Sequence, residues 1–159
     1  VRTKQEAEAA VAATRYPPRG VRGVSGNSRS NRFGRIKDYF DRADEHICLI
    51  VQIETQMGWD NVEEIASVDG IDCLFVGPAD LAADIGYLGK NAEETPQAAM
   101  ADVITRSVNV GCAAGILAFD DAEAKKWLGN GATFIAVTGD GFLLSRGMDA
   151  VVESFKGGE

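Results

Sequence analysis

The run Ile47-Cys48-Leu49-Ile50-Val51-Gln52-Ile53 constrains this chain more than any other feature. It carries no charge, and an unbroken apolar stretch of that length suits a strand buried on both faces, as in a parallel sheet. Similar runs recur over 71–76, 113–117 and 133–137. Between and after them, apolar residues at helical spacing predict helices over 59–67, 96–110, 120–128 and 142–155. Strands separated by helices are βαβ units, so the class is α/β with a parallel sheet. Upstream, an alanine- and glutamate-rich helix over 5–14 ends before Tyr16-Pro17-Pro18, which cannot continue it. A short strand over 20–23, a loop over 25–32 and a helix over 36–43 then lead into the first strong run. No linker, repeat or low-complexity tract divides residues 1–159, so a single domain is expected.

Composition narrows the function. The 159 residues carry 24 acidic and 16 basic side chains, a net charge of −8. A nucleic-acid partner would need a basic face, so that class is disfavoured. No apolar run reaches the ~18 residues of a membrane-spanning helix. Cys48, Cys73 and Cys112 are odd in number and lie inside apolar runs, so they read as reduced core residues of a cytoplasmic protein.

Two architectures fit the alternation. A doubly wound sheet would normally carry a glycine-rich phosphate turn after its first strand, and neither GxGxxG nor a Walker sequence occurs. A (β/α)8 barrel instead places its chemistry on the loops at the C-terminal ends of the strands. The polar residues do gather there: Gln52, Glu54 and Thr55 after one run, Gly77 to Asp80 after the next, Thr138 to Asp140 after the last. Five strand candidates fall short of eight. Together with a start at Val1, this leads us to expect the C-terminal part of a barrel whose N-terminal strands lie upstream.

Glu54 and Asp80 leave adjacent strand ends. Neighbouring parallel strands are about 4.8 Å apart, so two such carboxylates can converge on one hard divalent cation. The alternative is that both are solvated loop acids, with Asp80 as the N-cap of a helix over 81–85. Lys4, Lys37, Lys90, Lys125, Lys126 and Lys156 all fall outside the strands, which argues against a Schiff-base lysine. No nucleophile elbow occurs. Trp59 and Trp127 read as packing residues. Phe142, Leu143 and Leu144 open an apolar helix face suited either to an oligomer contact or to covering the barrel.

The words Val51-Gln52-Ile53-Glu54-Thr55 and Phe75-Val76-Gly77-Pro78-Ala79-Asp80-Leu81 resemble the class II pyruvate aldolases of the HpcH/HpaI type. That family includes 4-hydroxy-2-oxoheptanedioate aldolase and 2-dehydro-3-deoxyglucarate aldolase. Tyr16-Pro17-Pro18-Arg19-Gly20-Val21-Arg22-Gly23 and Ala114-Gly115-Ile116-Leu117 match it in the same order. The resemblance implies a phosphoenolpyruvate/pyruvate-type barrel that cleaves a 4-hydroxy-2-oxo acid reversibly to pyruvate and an aldehyde. It implies a divalent cation (Mg²⁺, Mn²⁺ or Co²⁺) on Glu54 and Asp80. Gln52 would bind the oxo-acid end, and Gly77, Pro78, Ala79 and Asp80 would form the turn whose N–H groups hold the pyruvate carboxylate. It further implies a homo-oligomer and a place in aromatic-compound catabolism.

The same resemblance places the family's histidine base and charge-steadying arginine upstream of Val1. His46 enters a strand at the opposite end of the barrel, and Arg22, at the end of the strand expected over 20–23, is a candidate replacement for the arginine. Two alternatives stay open: a citryl-coenzyme A lyase on the same barrel, or an incomplete chain that binds metal and oxo acid without catalysis.

Overall fold

In the computed structural model, which describes residues 1–156, four strands form one parallel sheet in the order in which they occur along the chain. They are β1 (Ile50–Ile53), β2 (Cys73–Val76), β3 (Ala113–Leu117) and β4 (Phe134–Ala136). The helices are α1 (Lys4–Thr14), α2 (Tyr39–Arg42), α3 (Gln56–Asp60), α4 (Val62–Ala66), α5 (Pro78–Asp84), α6 (Glu94–Asn109), α7 (Asp121–Gly129) and α8 (Asp140–Lys156). A doubly wound sheet reverses its strand order at a switch point, whereas a barrel wall adds each strand beside the last. The sequential order therefore decides for the barrel type.

Local chemistry explains the helix starts. Thr3 caps α1 by accepting the Glu6 N–H at 3.2 Å, and Asp120 caps α7 by accepting the N–H groups of Ala122 and Glu123 at 2.9 and 3.1 Å. Pro78 opens α5, where its missing donor costs nothing. The core lies between the sheet and helices α4 to α7. Ile53, Ile65, Leu74, Leu81, Met100, Ile104, Ile116 and Trp127 are fully buried there, each contributing about 1.5–3 kcal/mol. Trp127 packs as expected from the sequence, and Trp59 is partly buried with its indole N–H on Asp102 at 2.7 Å.

Several expectations fail at the edges of elements. Residues 20–23 form no strand. The Val21 and Arg22 N–H groups donate instead to Ala12 and Arg15 carbonyls at 2.8 and 2.9 Å, folding this segment onto the end of α1. The helix expected over 36–43 shortens to α2 and a 3₁₀ turn at Ala43–His46. The preceding loop closes around buried Asn31, whose amide oxygen accepts from Ser28 and Gly34 at 3.1 and 2.9 Å. The helix expected over 59–67 breaks at Asn61 into α3 and α4, and Arg106 donates to the Trp59 and Asp60 carbonyls at 2.9 and 3.2 Å.

The first strand is shorter than its apolar run. Cys48 is exposed and lies before β1, so only Cys73 and Cys112 are core thiols. Nor is β1 buried on both faces: Val51 and Ile53 are buried against the helices, while Gln52 is exposed on the opposite face. Asp80 is not an N-cap but the third residue of α5, which Gly77 precedes. No helix among the described residues is long and apolar enough to cross a membrane. Helix α8 buries none of its residues, and Leu143, Leu144, Met148, Val151, Val152 and Phe155 are exposed along it.

Candidate active site

Strand register places Gln52, Phe75, Gly115 and Phe134 side by side across β1 to β4. Residues in register share a face, and this is the face turned away from the helix-packed core. Gly115 is required by close approach: a Cβ there would lie 2.6 Å from the Phe134 carbonyl oxygen and 2.8 Å from the Phe75 ring. With no side chain between them, the Phe75 and Phe134 rings meet edge to face at 5.7 Å.

At the C-terminal ends of the strands this face opens into a cavity of about 360 Å³. Gln52 and Phe75 form its floor, the Gly77-Pro78-Ala79-Asp80 turn one wall, and Leu117, Phe119, Asp120 and Glu123 another. Asn91 and Arg146 complete the lining. The Gly77 N–H donates to the Ile53 carbonyl at 3.1 Å, extending the β1–β2 ladder by one step and fixing the turn beside Glu54. Glu54 does not itself line the cavity. Its side chain lies directly behind Gly77, close enough that a Cβ at 77 would stand 3.0 Å from its Oε2.

Gln52, Gly77, Pro78, Ala79 and Asp80 thus come together in one cavity, with Glu54 against its wall. His46 and Arg22 do not join them. His46 ends the 3₁₀ turn rather than entering a strand, and it lines a separate cavity with Ser30, Ile36, Asp38, Tyr39 and Arg42. Arg22 stacks on the Tyr16 ring at 4.6 Å and donates to the Tyr39 hydroxyl at 3.1 Å. Sequence reasoning missed Asn91, Phe119, Glu123 and Arg146. Phe119 and Asp120 follow β3 directly, so their place at a strand end was readable; Arg146 sits in a helix with no motif around it.

The donor set suits a hard divalent cation. Among the described residues, the Glu54 and Asp80 carboxylates accept no hydrogen bond, and the Ala79 and Asp80 N–H groups have no backbone acceptor. No cluster of three or more His, Cys, Asp or Glu side chains forms a metal cage among those residues. A two-carboxylate site leaves most of the coordination sphere to water and an oxygen-bearing ligand, which is the habit of Mg²⁺ and Mn²⁺.

Comparison with known proteins bears on the family and the fold. Residues 1–147 match the family model described as HpcH/HpaI aldolase/citrate lyase. A 5-keto-4-deoxy-D-glucarate aldolase of Shigella boydii is 46% identical over 156 residues, covering 98% of this chain and 61% of that protein. The crystal structure of an HpcH/HpaI aldolase/citrate lyase family protein from Burkholderia cenocepacia superposes with a TM-score of 0.91 at 39% identity, covering 98% of this chain and 62% of that one. An HpcH/HpaI aldolase from Desulfitobacterium hafniense shares the fold at 24% identity, with a TM-score of 0.83 over 98% of this chain and 61% of its own. The chain thus spans about three fifths of the length of these relatives.

Proposed function

The chain belongs to the HpcH/HpaI aldolase/citrate lyase family, and from that premise we propose that it carries the metal- and oxo-acid-binding part of a divalent-metal-dependent aldolase. The reaction is reversible cleavage of a 4-hydroxy-2-oxo acid to pyruvate and an aldehyde. The observation that supports this reading is that the Asp80 carboxylate and the Ala79–Asp80 turn line one cavity while Glu54 packs against Gly77 of the same turn, neither carboxylate accepting a hydrogen bond among the described residues.

In this reading Glu54 and Asp80 hold Mg²⁺, Mn²⁺ or Co²⁺. A cation there supplies Lewis acidity for the negative charge that develops on the 2-oxo group as the C3–C4 bond breaks. The protein's own groups do the positioning. The Ala79 and Asp80 N–H groups, at the positive end of α5, hold the substrate carboxylate. The Gln52 amide orients the oxo-acid end from the floor. Phe75, Leu117 and Phe119 exclude water, which strengthens each polar contact. The proton lost from the C4 hydroxyl needs a base. Among the described residues, those lining the cavity include no histidine.

The curated relative is named for a glucarate derivative, which favours a sugar-acid substrate over the aromatic-compound route expected from the sequence. The family description also names citrate lyase, so cleavage of an acyl-coenzyme A thioester is the competing activity. The exposed apolar side of α8 suits a homo-oligomer, and the two core thiols suit the reducing cytoplasm.

The deciding experiment is Mn²⁺ binding followed by electron paramagnetic resonance, with and without pyruvate, on protein shown folded by circular dichroism. Binding that tightens with pyruvate and disappears in Glu54→Ala is the expected result. Folded protein that binds no Mn²⁺ would overturn the assignment of Glu54 and Asp80.

A further inference from the structure

The basic side chains are unevenly placed. From Arg19 to Lys37 the sequence holds six of them and no acidic residue, so this segment is net +6 while the rest of the chain is net −14. The proposed metal and oxo-acid contacts make no use of it, and it lends no residue to the lining of the strand-end cavity.

The middle of the segment is held in one shape. Asn31, at its centre, is 1% exposed. Its amide nitrogen donates to the Ser25 and Gly26 carbonyls at 3.2 and 3.0 Å, and its amide oxygen accepts from the Ser28 and Gly34 N–H groups. Just after this clamp, Arg32, Phe33 and Gly34 take φ values of 49°, 56° and 77° in succession. Left-handed backbone is unfavourable for arginine and phenylalanine and persists only where the surroundings over-determine it.

That strained turn carries the Phe33 ring outward, 58% exposed, instead of into the core. Val21 and Val24 of the same segment are also exposed. Among the described residues Arg29 and Arg32 form no ion pair, while Arg35 and Lys37 donate only to the Arg32 and Gly34 carbonyls, at 3.1 and 3.0 Å. An aromatic ring flanked by arginines is the composition of a protein interface. A loop already fixed in shape loses little further freedom on docking.

Charge and apolarity together identify the partner. The guanidinium groups call for carboxylates, and Phe33 with the two valines calls for apolar contact, which a phosphate backbone does not offer. Every copy of this chain carries the complement, since its remaining residues are net −14.

We propose that the segment from Arg19 to Lys37 is a docking surface for the acidic face of a second copy of this chain, with Phe33 as its anchor and Arg29 and Arg32 as its charged contacts. The patch and its complement are different surfaces, so the contact is head-to-tail. It is separate from the apolar side of α8 and independent of the oxo-acid reading.

The test is sedimentation velocity on the full chain beside Phe33→Ser and the double variant Arg29→Glu/Arg32→Glu, each shown folded by circular dichroism. At equal concentration the unsubstituted chain should form a larger species than either variant, with self-association weakened at least about tenfold by each change. Carbodiimide, which couples touching amines and carboxylates, should join Lys37 to an Asp or Glu of the other copy in a mixture of isotope-labelled and unlabelled chains. Variants that sediment like the unsubstituted chain overturn the proposal, as do cross-links between copies that leave Lys37 out. A short single-stranded RNA is titrated in parallel. RNA binding that Arg29→Glu/Arg32→Glu abolishes, without self-association, would make the segment a nucleic-acid surface and overturn the proposal too.

Discussion

Gly77 and Glu54 occupy adjoining space so tightly that a Cβ at position 77 would stand 3.0 Å from both the Cβ and the Oε2 of Glu54. The φ of Gly77 is −91°, an ordinary value for any residue. Its glycine is demanded by the neighbouring carboxylate, not by backbone conformation.

Gly77→Ala should therefore act on the site more than on the fold. The added methyl group meets the Glu54 Oε2, which can swing away, and the Glu54 Cβ, which must give by a few tenths of an ångström, together costing about 1 kcal/mol. We expect Mn²⁺ affinity to fall about tenfold while the urea midpoint changes little. An unchanged Mn²⁺ affinity would mean that Glu54 is not a ligand.

Gly115→Ala makes the opposite case. Its Cβ would meet the Phe134 carbonyl at 2.6 Å and the Phe75 ring at 2.8 Å, and backbone cannot swing aside. Separating β3 from β4 and splitting the Phe75–Phe134 pair should cost about 1–3 kcal/mol, read as a lower urea midpoint with an unchanged slope.

These two glycines show what was legible in the sequence. The β2 and β3 runs announced strands because Leu74, Val76, Ala114 and Ile116 are buried on one side, and the residues after them announced a candidate site because polar groups cannot continue such a run. The order of the strands was not written in any residue; it follows from packing each βαβ unit beside the last. Side-chain hydrogen bonding to the backbone overrode periodicity elsewhere. Arg106 draws the Trp59 and Asp60 carbonyls out of helix register, and Asn31 gathers its loop where a helix was expected to begin soon after. The place of Arg146 in the cavity lining was unreadable because it accompanies the stack through Phe142 to Phe119, which joins separate elements of the chain.

Acid should weaken the α4–α6 junction in a defined window. Arg106 donates to both oxygens of Glu63, the Nε bond measuring 2.6 Å. These bonds hold the Glu63 carboxyl down to about 2, from 4.5. Because the folded value is depressed, the stabilisation is fully present above about pH 4.5 and is lost as pH falls towards 2. Glu63 is 47% exposed, so solvent screening limits the effect to about 1 kcal/mol or less. Glu63→Gln should lower stability by that amount at pH 7 and flatten the loss between pH 4.5 and 2 in urea titrations. A variant with the acid slope of the parent would remove Glu63 from the account.

The cysteines should separate by reactivity. Burial pushes the Cys73 thiol up to about 11 and raises that of Cys112, while Cys48 is exposed. The thiolate is the reacting form. Iodoacetamide at pH 8 should thus label Cys48 alone in folded protein and all three in urea, counted by mass spectrometry. Rapid labelling of Cys73 would mean that β2, between β1 and β3, does not bury its first residue in solution.

Asp80→Asn tests whether the site was assembled for a ligand or for the fold. Among the described residues the Asp80 carboxylate accepts no hydrogen bond and sits exposed in the first turn of α5, sharing its cavity with Asp120 and Glu123. Favourable interaction with the helix N-terminus contributes about 0.3–1 kcal/mol, opposed by repulsion from the two neighbouring carboxylates. The amide keeps the shape and removes the charge, so unfolding stability should shift by less than about 0.5 kcal/mol in either direction. If the proposed site holds, Asp80 is its second negative ligand, and Mn²⁺ binding should fall by at least about tenfold. A large loss of stability with Mn²⁺ affinity intact would make Asp80 a structural residue of α5. The expected pairing, stability kept and cation lost, is what a carboxylate without a protein partner should show.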